Sequence, residues 1–145
     1  MKVSEPSIQL EEDFQTSLAT AWTALTEITE MKKWYFDNIP DFQPKVGFKT
    51  QFPIHNEGRT FTHCWEVLEV IPQQLITYRW NYIEYSGDST ITFKLKEMGG
   101  RVRLNFSMVV LEDFPDGISE FERASGVAGW NYFIGERLRG YLEGE

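Results

Sequence analysis

The sequence predicts an α+β fold in which an antiparallel sheet is covered by one long C-terminal helix. Three observations predict it. Most of residues 48–110 falls into segments that alternate apolar and polar side chains, the period of half-buried strands. Residues 119–143 carry apolar side chains at helical spacing instead, with Gly129-Trp130 at their centre. Little else remains to cover the sheet, so the late helix must bury its apolar stripe against it. At 145 residues the chain has the length of one domain with a sizeable core, and residues 1–145 are expected to form that one unit.

Each element has its own signal. Residues 7–14 alternate, with Ile8, Leu10 and Phe14 on one face and Gln9 and Glu11 on the other. Glu12 shares the parity of Leu10 and Phe14, which turns it inward unless the strand frays. Residues 17–26 change to helical spacing, with Leu18, Ala21, Trp22 and Leu25 on one side and Thr16 or Ser17 as the cap. Residues 30–36 read as a second short helix, stopped before Pro40. Strands follow at residues 48–54, 60–71, 75–83, 89–97 and 102–110. Asn56-Glu57-Gly58, Pro72 and Ser86-Gly87-Asp88 separate them, and Gly99-Gly100 forms a two-residue hairpin turn that tolerates positive φ. After Pro115-Asp116-Gly117, Ser119 and Glu122 fit a capping box at the start of the last helix. Its stripe is Val127, Trp130, Ile134, Leu138 and Tyr141, and Gly144 is its stop.

Register follows from the turns. With Gly99-Gly100 as the turn, Leu95 faces Leu104, Phe93 faces Phe106 and Ile91 faces Met108. With Gly87-Asp88 as the preceding turn, Trp80 faces Leu95 and Tyr82 faces Phe93, so Tyr78, Trp80 and Tyr82 point towards the helix. The same parity sets Trp65 opposite Trp80. Arg79, Lys96 and Arg103 then share a row on the outer face, with Glu66 as the neutralising carboxylate. That row reads as a solvated charged face or as a docking patch for an acidic partner. Gly129 is expected to let the helix approach the sheet while Trp130 reaches into it.

Composition excludes several functions. A net charge of −8 repels phosphate backbones, so no nucleic-acid partner is expected. No apolar run is long enough for membrane insertion, the N-terminus lacks a signal-peptide core, and a lone cysteine cannot form an internal disulfide, so a cytoplasmic location is expected. The two histidines are His55 and His63, and neighbours His63 and Cys64 point to opposite faces of a strand, so no metal site and no cofactor are expected.

Aromatic residues make up 15% of the chain: five Trp, six Tyr and eleven Phe. They either fill the core or line a concave apolar site. Candidate ligand-binding walls are Phe52, Trp65, Tyr78, Trp80, Tyr82, Phe93, Phe106 and Met108 from the strands, with Trp34, Trp130 and Phe133 from the helices. Tyr78, Tyr82, His63 and Glu97 share inward parity and have the chemistry for proton transfer. Buried tyrosines more often anchor a core through the hydroxyl, so no catalytic residue is assigned.

The order of strand, two short helices, further strands and a long helix is a helix-grip pattern, and local motifs resemble a family. Ala21-Trp22-Thr23-Ala24-Leu25-Thr26, then Met31-Lys32-Lys33-Trp34, looks like the family's opening motif. Val46-Gly47-Phe48 resembles its strand entry. Glu66-Val67-Leu68-Glu69-Val70-Ile71-Pro72 and Leu75-Ile76-Thr77-Tyr78-Arg79-Trp80 resemble its central strands, and Gly129-Trp130 its last helix. Nearly the whole chain is similar to the homologues of the heat-shock-protein-90 ATPase activator, in the START-like, Bet v1-like (SRPBCC) superfamily. The resemblance implies a curved antiparallel sheet of six to seven strands around the helix. It also implies a hydrophobic cavity between them that takes lipids, polyketides or other apolar molecules, and it suggests a stress-response role. The eukaryotic activator carries this domain after a separate one that stimulates the ATPase. A chain of this length has no room for both, so ATPase activation is not expected. The leading expectation is a non-enzymatic binding module for a small hydrophobic or aromatic molecule. A protein-interaction or chaperone co-factor-like module and a polyketide cyclase-like enzyme are the alternatives.

Overall fold

The computed structural model describes residues 1–144. β1 (Ile8–Phe14) leads to α1 (Leu18–Thr26) and α2 (Ile28–Trp34). Five strands follow: β2 (Lys49–Asn56), β3 (Arg59–Ile71), β4 (Leu75–Tyr82), β5 (Asp88–Glu97) and β6 (Val102–Glu112). They form one 6-stranded antiparallel sheet in the order β1-β6-β5-β4-β3-β2. A 3₁₀ turn (Ser119–Phe121) precedes the C-terminal helix, which runs unbroken through α3 (Arg123–Trp130), a π-helical stretch (Asn131–Leu138) and α4 (Arg139–Glu143). This is the helix-grip arrangement. Register shifts at Val67/Glu69 in β3 and at Asp88/Ser89 in β5 are bulges, which bend strands and curve the sheet. No helix among the described residues is long and apolar enough to cross a membrane.

The strands form where alternation is cleanest. In β4, Ile76, Tyr78 and Trp80 are buried and their neighbours are partly exposed. In β5 and β6 the buried rows are Ile91, Phe93 and Leu95, and Leu104, Phe106 and Met108. They pair as the turn chemistry requires: Leu95 with Leu104, Phe93 with Phe106, Ile91 with Met108. Gly99 and Gly100 take φ of 54° and 90°, the left-handed region that a two-residue hairpin turn needs. Trp65 pairs with Trp80. Ser17 caps α1, its side chain accepting from Thr20 N at 3.1 Å.

Four expectations are corrected. Gly87-Asp88 is not a two-residue turn. Trp80 pairs with Ser89 and Ile76 with Phe93, leaving a longer connection over residues 83–87. Tyr85 of that connection stacks on Phe61 at 5.2 Å, and Gly87 sits against Phe114, too close for any side chain. The offset is an even number of residues, so Tyr78 and Trp80 keep their inward face. The basic row is also broken. Arg79 lies opposite Thr90, while Lys96 does face Arg103. Arg79 is drawn to Glu66 at 3.7 Å and Asp88 at 3.3 Å, and Arg103 binds Asp13 at 2.8 Å. The capping box does not form. Ser119 Oγ donates to Glu120, and the helix starts at Arg123 after Glu122, which makes no side-chain cap. Finally, Gly129 is not a point of close approach, since a Cβ there would meet nothing within 4 Å. Gly126 is, because a Cβ there would lie 2.9 Å from Met1 Sδ and 3.2 Å from Ile8 Cδ1.

The helix presents Trp130, Ile134 and Leu138 to the sheet, all buried. In α geometry a row spaced by four residues drifts by about 40° per step, and the slower winding of a π-helix opposes that drift. Polar ties fix its second half. Arg139 donates to Glu12 at 2.7 Å, confirming that Glu12 turns inward, and Tyr141 donates to Glu30 of α2 at 2.6 Å. At the sheet edges, β2 carries Pro53, while Glu11 and Asp13 of β1 gather around Arg103.

Candidate functional site

The inner face is a network of rings. Trp34 and Tyr35 stack at 4.5 Å, and Trp34 Nε1 donates to Ala24 O at 2.7 Å, tying α2 to α1. Tyr35 reaches Trp65 at 5.3 Å, Phe133 at 5.3 Å and Trp130 at 6.1 Å, and its hydroxyl meets that of Tyr78 at 3.0 Å. Trp130 packs on Phe106 at 4.3 Å and on Trp80 at 5.2 Å. The rings therefore fill most of the space between sheet and helix.

They do not fill all of it. A cleft of about 170 Å³ remains where α3 passes over the β3–β4 end of the sheet. Phe36, Trp80, Trp130 and Phe133 supply ring walls, with Met1 and Met108 beside them, and Gly126 and Gly129 form part of the helix side. Its polar groups are His63, Tyr82, Glu120 and Ser125.

The two polar side chains of the sheet wall are neighbours by construction, since His63 of β3 pairs directly with Tyr82 of β4. Their rings meet edge to face at 4.8 Å. His63 is only 6% exposed and lies 2.9 Å from Phe61 O through Nδ1. A carbonyl only accepts, so Nδ1 carries the proton and Nε2 is left with a lone pair. Burial pushes the His63 pKa down to about 4, against the opposing pull of the Phe61 carbonyl and of Glu84. The Tyr82 hydroxyl accepts from Trp80 Nε1 at 2.8 Å, and burial pushes its pKa up to about 12. At neutral pH the wall is uncharged.

Of the expected wall residues, Trp80, Tyr82, Met108, Trp130 and Phe133 line the cleft. Trp34, Phe52, Trp65, Tyr78, Phe93 and Phe106 are all buried in the core that supports it. Trp65 Nε1 has no hydrogen-bond partner among the described residues, while Phe52 stands perpendicular to its ring at 4.9 Å. Of the groups with proton-transfer chemistry, the fold brings only His63 and Tyr82 together. Tyr78 is anchored to Tyr35, and Glu97 lies at the far end of β5 beside Gln15 and Arg101. Sequence reasoning missed Phe36, Glu120, Ser125 and the two glycines as cleft residues. The signal for Phe36 was the run Trp34-Tyr35-Phe36, three consecutive rings of which two pack inward and the third reaches the cleft.

A larger hollow of about 310 Å³ lies on the opposite face of the sheet, lined by Lys49, Gln51, Cys64, Glu66, Arg79 and Asn81, among others. Burial raises the pKa of the Cys64 thiol, and Arg79 is engaged by Glu66 and Asp88. Among the described residues no group of three or more His, Cys, Asp and Glu side chains is placed to hold a metal ion.

The family of Activator of Hsp90 ATPase homolog 1-like proteins matches residues 15–143. No curated protein sequence matches the chain. Among solved structures, a Chromobacterium violaceum protein is similar at 17% identity and a TM-score of 0.79, covering 94% of this chain and 96% of that one. A Mesorhizobium loti protein is similar at 25% identity and a TM-score of 0.74, covering 95% and 97%. The Aha1 dimer of Colwellia psychrerythraea is similar at 18% identity and a TM-score of 0.72, covering 96% and 97%.

Proposed function

For this chain, which belongs to the Activator of Hsp90 ATPase homolog 1-like family, we propose a non-enzymatic binding function: a small aromatic molecule inserts between the sheet and the C-terminal helix. One observation carries the reading. Among the described residues, the closely packed inner face leaves a cleft of about 170 Å³, lined by rings and by polar groups with hydrogen-bonding capacity to spare. An imidazole nitrogen without a partner is better placed at a cleft than in a filled core, because burying such a group unpaired is costly. The volume is close to the about 150 Å³ of an apolar cavity that holds benzene and suits one ring rather than a lipid. A protein-docking function would use the outer face, where the ionic side chains of Arg79 and Arg103 already have partners.

The test is a titration with single-ring compounds followed by backbone and indole NMR. Shifts are expected at Phe36, His63, Trp80, Tyr82, Trp130 and Phe133. Gly129→Leu, which places a side chain in open space beside the cleft, should abolish them while leaving the rest of the spectrum in place. Shifts scattered over the outer surface, or unchanged by Gly129→Leu, would reject the site.

A further inference from the structure

We infer that the cleft is built for a neutral phenol, a single aromatic ring whose hydroxyl donates to His63 Nε2 and accepts from Tyr82 Oη. The inference rests on the reading that the cleft is a ligand site, and it adds the chemistry the ligand must carry.

His63 and Tyr82 are directly opposed across β3 and β4, so their side chains stand together on the inner face. His63 Nδ1 is committed to Phe61 O, and no donor among the described residues reaches Nε2. Tyr82 Oη is committed as an acceptor to Trp80 Nε1, and no acceptor among the described residues takes its own proton. One unspent acceptor and one unspent donor thus sit side by side within ring walls. A hydroxyl both donates and accepts, so a single group answers both. An ether answers only Tyr82, and a hydrocarbon answers neither. Burial keeps His63 neutral and Tyr82 protonated around pH 7, so both roles persist there.

Charge narrows the ligand further. Among the described residues no Lys or Arg lines the cleft, and the α-ammonium of Met1 is already engaged by Phe121 O and Glu5, so a carboxylate would lose its water without gaining a free counter-charge. Among the described residues the one charged side chain lining the cleft is that of Glu120, and its oxygens already accept from Asn56 at 2.8 Å, Ser119 at 3.1 Å and Arg59 at 3.5 Å. An ammonium would therefore find the neutral His63 Nε2 as an acceptor but no uncommitted carboxylate to balance its charge. The volume admits one ring, and Trp80, Trp130, Phe36 and Phe133 offer it faces and edges.

The test titrates the full chain with p-cresol, toluene, 4-methylanisole and benzoate, read by tryptophan fluorescence and by the Trp80 indole N–H resonance. p-Cresol should bind about tenfold more tightly than toluene, from two added hydrogen bonds, and about threefold more tightly than 4-methylanisole, from one, and benzoate should be the weakest. The Trp80 resonance should move more with p-cresol than with toluene, because its acceptor is drawn into the new bond. Tyr82→Phe should lower the cresol-to-toluene ratio to about threefold, because the bond to His63 Nε2 remains. Equal binding of p-cresol and either neutral comparator by the unmodified chain would overturn the phenol assignment and leave the cleft as an apolar site. Failure of all four probes to bind would overturn the cleft reading itself.

Discussion

His63 sits among Phe36, Phe52, Trp80 and Tyr82, with ring centroids 4.8–5.2 Å away. That position has a consequence for stability. Above about pH 6.5 the imidazole is neutral in both folded and unfolded chains and adds no pH dependence. Between about pH 6.5 and 4 the unfolded chain binds a proton that the folded chain refuses, so stability falls as the pH falls. Below about pH 4 the loss is complete, at about 3 kcal/mol. Urea titrations from pH 7 to 4.5 should show His63→Gln losing less stability than the unmodified chain over that window, and equal losses would refute the assignment. The inward placement of His63 was legible from strand parity alone. Its commitment through Nδ1 was not, because the bond to Phe61 O depends on a ring orientation that parity leaves free.

Among the elements, α3 holds two glycines that do different work. Gly126 is filled from outside by Met1 and Ile8, whereas Gly129 borders open space. Alanine is favoured over glycine inside a helix by about 0.8–1.0 kcal/mol. Gly129→Ala should therefore gain about that much, and Gly126→Ala should gain clearly less, because Met1 must give way. Urea midpoints compare the two, and equal gains would rule out the close approach at Gly126. Sequence pattern located the helix and its stripe, and it located every strand to within two residues. It assigned the close approach to the wrong glycine, because the residue that fills Gly126 comes from the other end of the chain. It also expected a capping box, since Ser119 and Glu122 have the right spacing. A 3₁₀ turn there instead directs Ser119 Oγ to Glu120, which also binds Asn56 and Arg59.

At the scale of the molecule, Tyr35 joins the three parts. It follows α2, packs on Trp65 of the sheet and on Phe133 of the helix, and shares a buried hydroxyl contact with Tyr78. Tyr35→Phe leaves the Tyr78 hydroxyl without its partner, at a cost of about 1–3 kcal/mol. Removing both hydroxyls should cost much less than the sum of the single changes. A double-mutant cycle in urea measures this, and additive losses would show that the hydroxyls do not interact. The overall architecture was legible because alternation, turn chemistry and the helical stripe all agree on it. The extent of the cleft was not, because eleven candidate wall residues of similar chemistry divide between core and cleft by ring orientation. The open sheet has one further consequence. Pro53 withholds a backbone donor along β2, and the carboxylates of β1 crowd around Arg103 along the other border. A misfolded neighbour finds no clean ladder to extend on either side, which protects the chain against growth into fibrils.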